Sequence, residues 1–108
     1  SIMENLIDIL SLEDFEKAKM NKSIFMFTAS WCPDCTFIKP FMGQIVKDNP
    51  EFTFYKIDRD QFIDLCKDLD IMGIPSFVAY DQGNEIGRFV SKLRKTKKEI
   101  QDFIDSVK

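Results

Sequence analysis

The chain has 108 residues, of which 44% are hydrophobic and 31% charged, and it carries a net charge of −3 at pH 7. This length predicts one domain over residues 1–108 with a single modest core. No apolar run approaches the roughly 20 residues that a membrane span needs, and the acidic balance argues against nucleic acid as a partner. We therefore expect neither a membrane nor a nucleic-acid partner.

The cysteine count and the start of the chain indicate a compartment. The first residues lack the basic region, apolar stretch and cleavage site of a secretory signal. Met3 could be the native start, in which case Ser1 and Ile2 derive from cloning. Three cysteines in a chain of this size do not make a disulfide framework. We expect a cytoplasmic protein, in which a close cysteine pair indicates redox chemistry or metal binding.

The first predicted elements are strand, helix and strand. A short strand over 6–10 precedes a helix over 11–19, which Ser11 and Asp14 open as a weak capping pair. The residues of this helix that we expect to face the core are Leu12 and Phe15. "SIFMFTA", residues 23–29, is a continuous apolar run that predicts a strand buried on both faces.

A second helix and strand follow in the middle of the chain. The helix over 33–47 carries apolar residues at three- and four-residue spacings: Phe37, Ile38, Phe41, Met42, Ile45 and Val46. "FTFYKID", residues 52–58, predicts another central strand. A short helix over 61–69 places four apolar residues on one face: Phe62, Leu65, Cys66 and Leu69.

The last third predicts a hairpin and a closing helix. Strands over 76–80 and 85–90 flank "DQGN", which predicts a turn that contains glycine. Thr96 and Glu99 form a capping box for a helix whose apolar stripe is Ile100, Phe103, Ile104 and Val107. Strands that alternate with helices, followed by a hairpin, predict an α/β fold with a mixed sheet covered by helices on both faces.

Cys32 and Cys35 form a CxxC motif where a buried strand ends and a helix begins. The free N–H groups and the dipole of a helix N-terminus favour a thiolate at Cys32. Cys35 lies one turn deeper on the same face, close enough for a disulfide, and Pro33 suits the first turn because its missing N–H is not needed there. The motif predicts one exposed sulfur of low pKa and one shielded sulfur, the asymmetry that thiol–disulfide exchange requires.

The sequence resembles the thioredoxin family over essentially its whole length. "WCPDC" at 31–35 stands where typical thioredoxins have WCGPC, and "GIPS" at 73–76 resembles the family's G-I-P-T loop, whose proline is cis. Further matches follow in order: "IKP" at 38–40, "KID" at 56–58 and "VS" at 90–91. The resemblance implies a thioredoxin fold, in which a mixed central β-sheet is flanked by helices on both faces, and a monomer.

The resemblance also implies a mechanism that needs no cofactor. Cys32 attacks a substrate disulfide as a thiolate, and Cys35 then resolves the mixed disulfide. An apolar substrate groove beside Cys32 is implied, lined by Trp31, Ile74, Pro75 and Val90. The Ile74 backbone would pair with an extended substrate segment. The implied partners are protein disulfides and a recycling reductase of the thioredoxin-reductase type.

Two positions outside the CxxC motif depart from the family pattern. Typical thioredoxins bury an aspartate six residues before the first cysteine and a lysine that partners it, and these positions are Met26 and Phe54 here. Losing both charges together avoids an unpaired buried charge. No buried carboxylate therefore serves Cys35, and we expect water or Asp34 to take its proton.

Asp34, inside the motif, is predicted to tune the redox chemistry together with Pro33. A carboxylate in the first turn stabilises the helix but repels the Cys32 thiolate and should raise its pKa. A less stabilised thiolate makes the dithiol a better reductant. We therefore predict a reductant rather than a disulfide-forming oxidant.

Other functions fit the sequence less well. Zinc wants four ligands, and three cysteines without a histidine do not supply them. A cysteine hydrolase would lack its histidine base. A glutaredoxin-like reductase shares the C-P-x-C arrangement, but the chain lacks the Gly-Gly-Asp turn that holds glutathione, and "DQGN" does not replace it. A thioredoxin-fold interaction or chaperone-like module with dispensable thiols is the remaining alternative.

Two other features have simple structural interpretations. Cys66 lies on an apolar helical stripe and is expected to be a small core residue, with a regulatory thiol as the alternative. "KLRKTKK", residues 92–98, holds five of the 15 basic residues. We interpret it as a solvated turn that leads into a helix, with the steering of acidic protein partners as the alternative.

Overall fold

The computed structural model describes residues 5–108, so the hypotheses on Ser1, Ile2 and Met3 lie outside the described residues. The strands are β1 (Ile7–Asp8), β2 (Ser23–Thr28), β3 (Thr53–Asp58), β4 (Ser76–Asp81) and β5 (Asn84–Phe89). The helices are α1 (Leu12–Ala18), α2 (Pro33–Asp48), α3 (Ile63–Asp68) and α4 (Lys97–Ser106). None of the helices over residues 5–108 has the length and apolar character needed to span a bilayer.

The strands form one mixed sheet in the order β1-β3-β2-β4-β5. β1, β3 and β2 run parallel, whereas β4 lies antiparallel to β2 and to β5. The parallel pair β2–β3 is joined through α2, because parallel strands need a long crossover. The antiparallel pair β4–β5 is joined by a two-residue turn at Gln82 and Gly83, both with positive φ, as predicted for the hairpin. The predicted mixed sheet is confirmed.

A layer of helices covers each face of the sheet. Under α2 and α4 the core contains Ile24, Met26, Ile38, Met42, Ile45, Phe54, Phe77, Ala79, Ile100 and Ile104. Under α1 and α3 it contains Phe15, Ala18, Phe25, Phe27, Tyr55, Ile57, Cys66, Val78 and Tyr80. Since alternate residues of one strand enter opposite cores, β2 is buried over its whole length.

The predicted starts of α1 and α4 are confirmed, whereas α3 begins at Ile63, two residues later than predicted. The Ser11 hydroxyl accepts the Asp14 N–H at 3.0 Å, and Thr96 and Glu99 form both bonds of a capping box. Each such cap contributes about 1 kcal/mol. The caps fix where α1 and α4 begin, and so which residues of each helix meet the sheet.

Two core predictions are wrong. Leu12 is 58% exposed, because it is the first residue of a seven-residue helix of which only Phe15 and Ala18 are buried. Phe37 is also exposed, on the flank of α2, where the Arg94 guanidinium lies 4.4 Å from its ring centroid. Apolar spacing identified the helices but not the angle at which each one meets the sheet.

Met26 and Phe54 are both fully buried in the core under α2 and α4, as predicted. Met26 pairs in register with Lys56 on β3, and Phe54 lies two residues earlier on the same face. The two positions that are charged in typical thioredoxins are therefore apolar neighbours in one core.

We expect Met26→Asp to lower the free energy of unfolding by about 3–5 kcal/mol at pH 7, because it buries a carboxylate that has no partner. Met26→Leu, the volume-matched control, should cost under about 1.5 kcal/mol. Adding Phe54→Lys to Met26→Asp should recover part of the loss. Urea unfolding followed by Trp31 fluorescence gives the free energy of unfolding of the wild-type protein and the three variants. Equal stability of Met26→Asp and Met26→Leu would contradict this account.

Candidate active site

Cys32 lies where the central strand gives way to α2. It is the N-cap of the helix, and its Sγ accepts the N–H of Cys35 at 3.1 Å. Pro33 occupies the first helical position, where its missing N–H costs nothing. Cys32 and Cys35 are joined as a disulfide, with their Cα atoms 5.2 Å apart. The predicted pair and its place at the helix start are confirmed.

The two cysteines differ in access rather than in gross exposure. Cys32 is 4% exposed and Cys35 is 0% exposed, so the expectation of an exposed Cys32 sulfur is wrong in the literal sense. Ala29 and Ile74 pack around the pair and cover it. Cys32 nevertheless forms part of a surface pocket and Cys35 does not. The two sulfurs therefore differ in whether a molecule in the pocket can reach them.

Ile74 and Pro75 lie against the cysteines, immediately before β4. Their peptide bond is cis, as the resemblance implied. The Ile74 carbonyl oxygen is 3.7 Å from Cys32 Sγ. Pro75 is buried, and Val90 is half-buried and packs on the core under α1 and α3. Of these three residues, Ile74 is the one that lines the pocket.

The pocket beside Cys32 has a volume of about 320 Å³. Its lining residues are Trp31, Cys32, Pro33, Asp34, Arg59, Met72, Gly73, Ile74 and Lys92. Sequence reasoning had placed Trp31 and Ile74 in a groove and had missed Arg59, Met72 and Lys92. Arg59 directly follows β3, and the carboxyl ends of neighbouring parallel strands meet at one edge of a sheet, so its place could have been foreseen.

Trp31 is held in place although it is 56% exposed. Its Nε1 donates to Asp60 Oδ2 at 2.7 Å, and the Arg59 guanidinium lies 4.9 Å from its ring centroid. The backbone N–H of Arg59 bonds the Thr28 carbonyl at 2.8 Å, which ties this turn to the end of β2. The indole thus forms a fixed wall of the pocket.

Asp34 is paired with Arg94, whose Nε lies 2.8 Å from Asp34 Oδ1. Arg94 belongs to the basic segment 92–98, which we had interpreted as a solvated turn. Lys95 of the same segment is 1% exposed, and its Nζ donates to the carbonyls of Ser91 at 3.1 Å and Leu93 at 3.0 Å. Burial lowers the pKa of this lysine. The interpretation is wrong for Lys95, which is buried and holds the loop before α4, whereas Arg94 is exposed and pairs with Asp34.

Cys66, the third cysteine, is buried in the core under α1 and α3, which confirms the prediction of a core residue. Burial raises its pKa to about 11. At neutral pH the group is a protonated thiol, which is a poor nucleophile. Cys66 is therefore chemically separate from the Cys32–Cys35 pair.

Other surface features lie away from this chemistry. A slightly larger pocket, of about 340 Å³, lies between β1 and α1 and is lined by no cysteine. The hairpin turn at "DQGN" lies at the opposite end of the sheet, because Tyr80 pairs with the start of β2 and Ser76 with its end. Within residues 5–108 no three His, Cys, Asp or Glu side chains are grouped to hold a metal ion.

Sequence comparisons with known proteins identify a family whose proteins carry out this chemistry. The thioredoxin family model matches residues 7–106. A thioredoxin H-type of Fagopyrum esculentum is 36% identical over 80 residues, which are 72% of this chain and 69% of that protein. Thioredoxin H-type 1 of Nicotiana tabacum is 34% identical over 94 residues, which are 85% of this chain and 72% of that one.

Solved structures agree in fold. Fasciola hepatica thioredoxin has a TM-score of 0.81 at 26% identity, covering 95% of this chain and all of its own. Plasmodium falciparum thioredoxin has a TM-score of 0.85 at 22% identity, with the same coverage. The chain therefore belongs to the thioredoxin family of thiol–disulfide oxidoreductases.

Proposed function

We propose that Cys32 is the nucleophile and Cys35 the resolving cysteine of this protein-disulfide reductase. The observation that carries the proposal is the position of Cys32, which caps α2 and forms part of the pocket wall. Its sulfur accepts a backbone N–H at 3.1 Å, a bond that stabilises a thiolate more than a thiol. Cys35 forms no part of that wall, so a substrate reaches Cys32 first.

The reaction transfers two electrons from the cysteine pair to the substrate. The Cys32 thiolate attacks one sulfur of a substrate disulfide, and the other substrate sulfur leaves as a thiolate. Cys35, once deprotonated, attacks Cys32 Sγ and releases the second substrate sulfur. The products are a substrate dithiol and the Cys32–Cys35 disulfide, and water or Asp34 takes the Cys35 proton.

The substrate segment would lie in a groove formed by Trp31, Ile74, Pro75 and Val90. Trp31 and Ile74 line the pocket directly, which supports this part of the proposal. Pro75 supplies no N–H, which keeps a competing donor away from the sulfurs. The Ile74 backbone would pair with an extended substrate, as in other cases of strand addition.

The proposal extends to a reductant and a setting. Returning Cys32 and Cys35 to thiols requires a dithiol donor, and a reductase of the thioredoxin-reductase type is the expected partner. A reducing, cytoplasmic setting suits this turnover, since a glutathione-rich compartment keeps dithiols reduced. We also propose a monomer, because one chain supplies both cysteines and the whole pocket.

Asp34 and Arg94 together would set the reactivity of Cys32. Asp34 alone would repel the thiolate and make the pair more reducing. Arg94, 2.8 Å away, offsets part of that repulsion. Both side chains are partly exposed, so water and salt moderate the effect.

The cysteine roles are tested by insulin reduction driven by dithiothreitol. Wild-type protein should exceed the dithiothreitol background, and Cys32→Ser should abolish the excess. Cys35→Ser that is reduced and then freed of dithiothreitol before insulin is added should instead accumulate a mixed disulfide with the substrate, visible as a mass adduct. Cys66→Ala, the matched control, should keep the wild-type rate, because the Cys66 thiol is buried and has a raised pKa. Turnover by Cys32→Ser would overturn the assignment.

The pairing of Asp34 with Arg94 predicts opposite shifts in the pKa of Cys32. Asp34→Asn should lower that pKa and Arg94→Ala should raise it, each by about half a unit for partly exposed charges. Thiolate absorbance near 240 nm measures this in a Cys35→Ser background, where Cys66 titrates only near 11. A rise in Asp34→Asn would contradict the proposal. In proteins that keep Cys35, the reduction potential of the Cys32–Cys35 pair should become less negative in Asp34→Asn and more negative in Arg94→Ala.

A further inference from the structure

The pocket beside Cys32 contains a lysine without an acidic partner. Lys92 is exposed, and among residues 5–108 no carboxylate lies within 4.0 Å of its Nζ. It faces a cavity that also contains the reactive Cys32 and two large apolar side chains, Trp31 and Met72. The pocket therefore combines one unpaired cation with an apolar wall, next to the sulfur that a substrate must reach.

The second cation of the pocket, Arg59, is only weakly compensated. Its Nη2 lies 3.5 Å from Asp60 Oδ1, at the long limit for a hydrogen bond. Its Nε is buried and has no hydrogen-bond partner. Asp60 itself is engaged by the Trp31 indole at 2.7 Å. A carboxylate that entered the pocket would meet an arginine whose own ion pair is poor.

The one acid that lines the pocket does not neutralise these cations. Asp34 accepts from Arg94 Nε at 2.8 Å, and Arg94 is not among the lining residues. Counting Asp34 with its partner leaves two cations in the pocket: Lys92, and Arg59 with its long ion pair to Asp60. The local charge is thus opposite in sign to the net charge of −3 on the whole chain.

Lys92 is held at the pocket by the packing of its loop. Lys95, buried beneath the loop, donates to the carbonyls of Ser91 and Leu93 on either side of Lys92. A side chain on Gly73 would collide with the Ser91 carbonyl, so the loop before α4 packs directly on the segment before Ile74. Lys92 therefore has a defined position relative to Cys32 and Ile74.

We propose that this pocket selects substrate disulfides in which an aspartate or glutamate stands next to the attacked cysteine. The carboxylate would pair with Lys92 and Arg59 while neighbouring apolar atoms contact Trp31 and Met72. A pocket of about 320 Å³, near the low end of the 300–1000 Å³ usual for ligand sites, accommodates a side chain rather than a cofactor. The inference rests on the proposed role of Cys32 and narrows its substrates.

The test uses short peptides closed by one disulfide, identical except for Glu, Gln or Lys beside either cysteine. Reduced wild-type protein is mixed with each peptide, and Trp31 fluorescence follows the rate of Cys32–Cys35 oxidation. We expect the best Glu peptide to react about fivefold faster than its Gln counterpart, the upper end for a partly exposed ion pair. That advantage should largely disappear in 1 M salt.

Charge reversal supplies the decisive variants. Lys92→Glu should abolish or invert the preference, so that the Lys peptide becomes faster than the Glu peptide when each rate is expressed relative to the Gln peptide with the same variant. Lys47→Glu makes the same change in net charge on an exposed residue in the last turn of α2, and should keep the wild-type order.

Each outcome separates this inference from the proposed function. Equal rates for Glu, Gln and Lys peptides with wild-type protein, or an unchanged order in Lys92→Glu, would overturn the acidic preference and leave the reductase role intact. No reaction with any peptide or with insulin would overturn the reductase role itself. Folding is checked independently by the far-UV circular dichroism spectrum of Lys92→Glu, which should match that of the wild-type protein.

Discussion

The burial of β2 on both faces is the constraint on which the rest of the structure depends. Six consecutive residues without an exposed side chain require a helical layer above and below and a hydrogen-bonded strand on each side. Fully burying each large apolar side chain contributes about 1.5–3 kcal/mol, so this strand has no competing solvent-exposed arrangement. The carboxyl end of β2 delivers Cys32. The end of β3 delivers Arg59, and the segment before β4 delivers Ile74 and Pro75.

Two acidic side chains near the cysteines, Asp34 and Asp60, are held by hydrogen bonds at the protein surface. Asp34 with Arg94 and Asp60 with Trp31 are partly exposed contacts that cost little desolvation. In the core under α2 and α4, Met26 and Phe54 are apolar. On the proposed role of Asp34, Cys32 is tuned by groups that remain in contact with water, and over residues 5–108 no carboxylate is buried in the core. Lys95 differs from these exposed groups because its ammonium is buried, and it donates hydrogen bonds to two backbone carbonyls.

Much of the fold was predictable from the sequence because its signals are local. The apolar run 23–29, the capping box at Thr96 and the glycine turn at 83 each determine a backbone conformation within a few residues. The orientation of a helix on the sheet is not local, which is why Leu12 and Phe37 were misplaced. The basic segment 92–98 was misread for a related reason. A lysine is buried only where the loop conformation places backbone carbonyls to accept its hydrogen bonds. A count of charges along the sequence does not predict that conformation.

The candidate site likewise combines residues that local motifs predict with residues that only the folded chain brings together. Cys32, Pro33 and Cys35 follow from a motif within one helical turn, and Ile74–Pro75 from a short loop motif. Arg59, Met72 and Lys92 come from three separate segments that only the folded sheet brings together. The sequence therefore predicted the cysteine pair but not Arg59, Met72 and Lys92, which line the pocket beside it. The residues that would distinguish one substrate from another are the ones that depend on tertiary structure.

The sulfur that we propose as the nucleophile, that of Cys32, also caps α2. A thiolate is a stronger acceptor for the Cys35 N–H than a sulfur in a disulfide, so the first turn of the helix is bonded differently in the two redox states. Folding and oxidation thereby form a closed thermodynamic cycle. Any difference in folding stability between the dithiol and disulfide forms must equal the difference in reducing power between the folded and unfolded CxxC segment. A measured difference in folding stability between the two redox forms therefore gives the difference in reduction potential between the folded and unfolded protein.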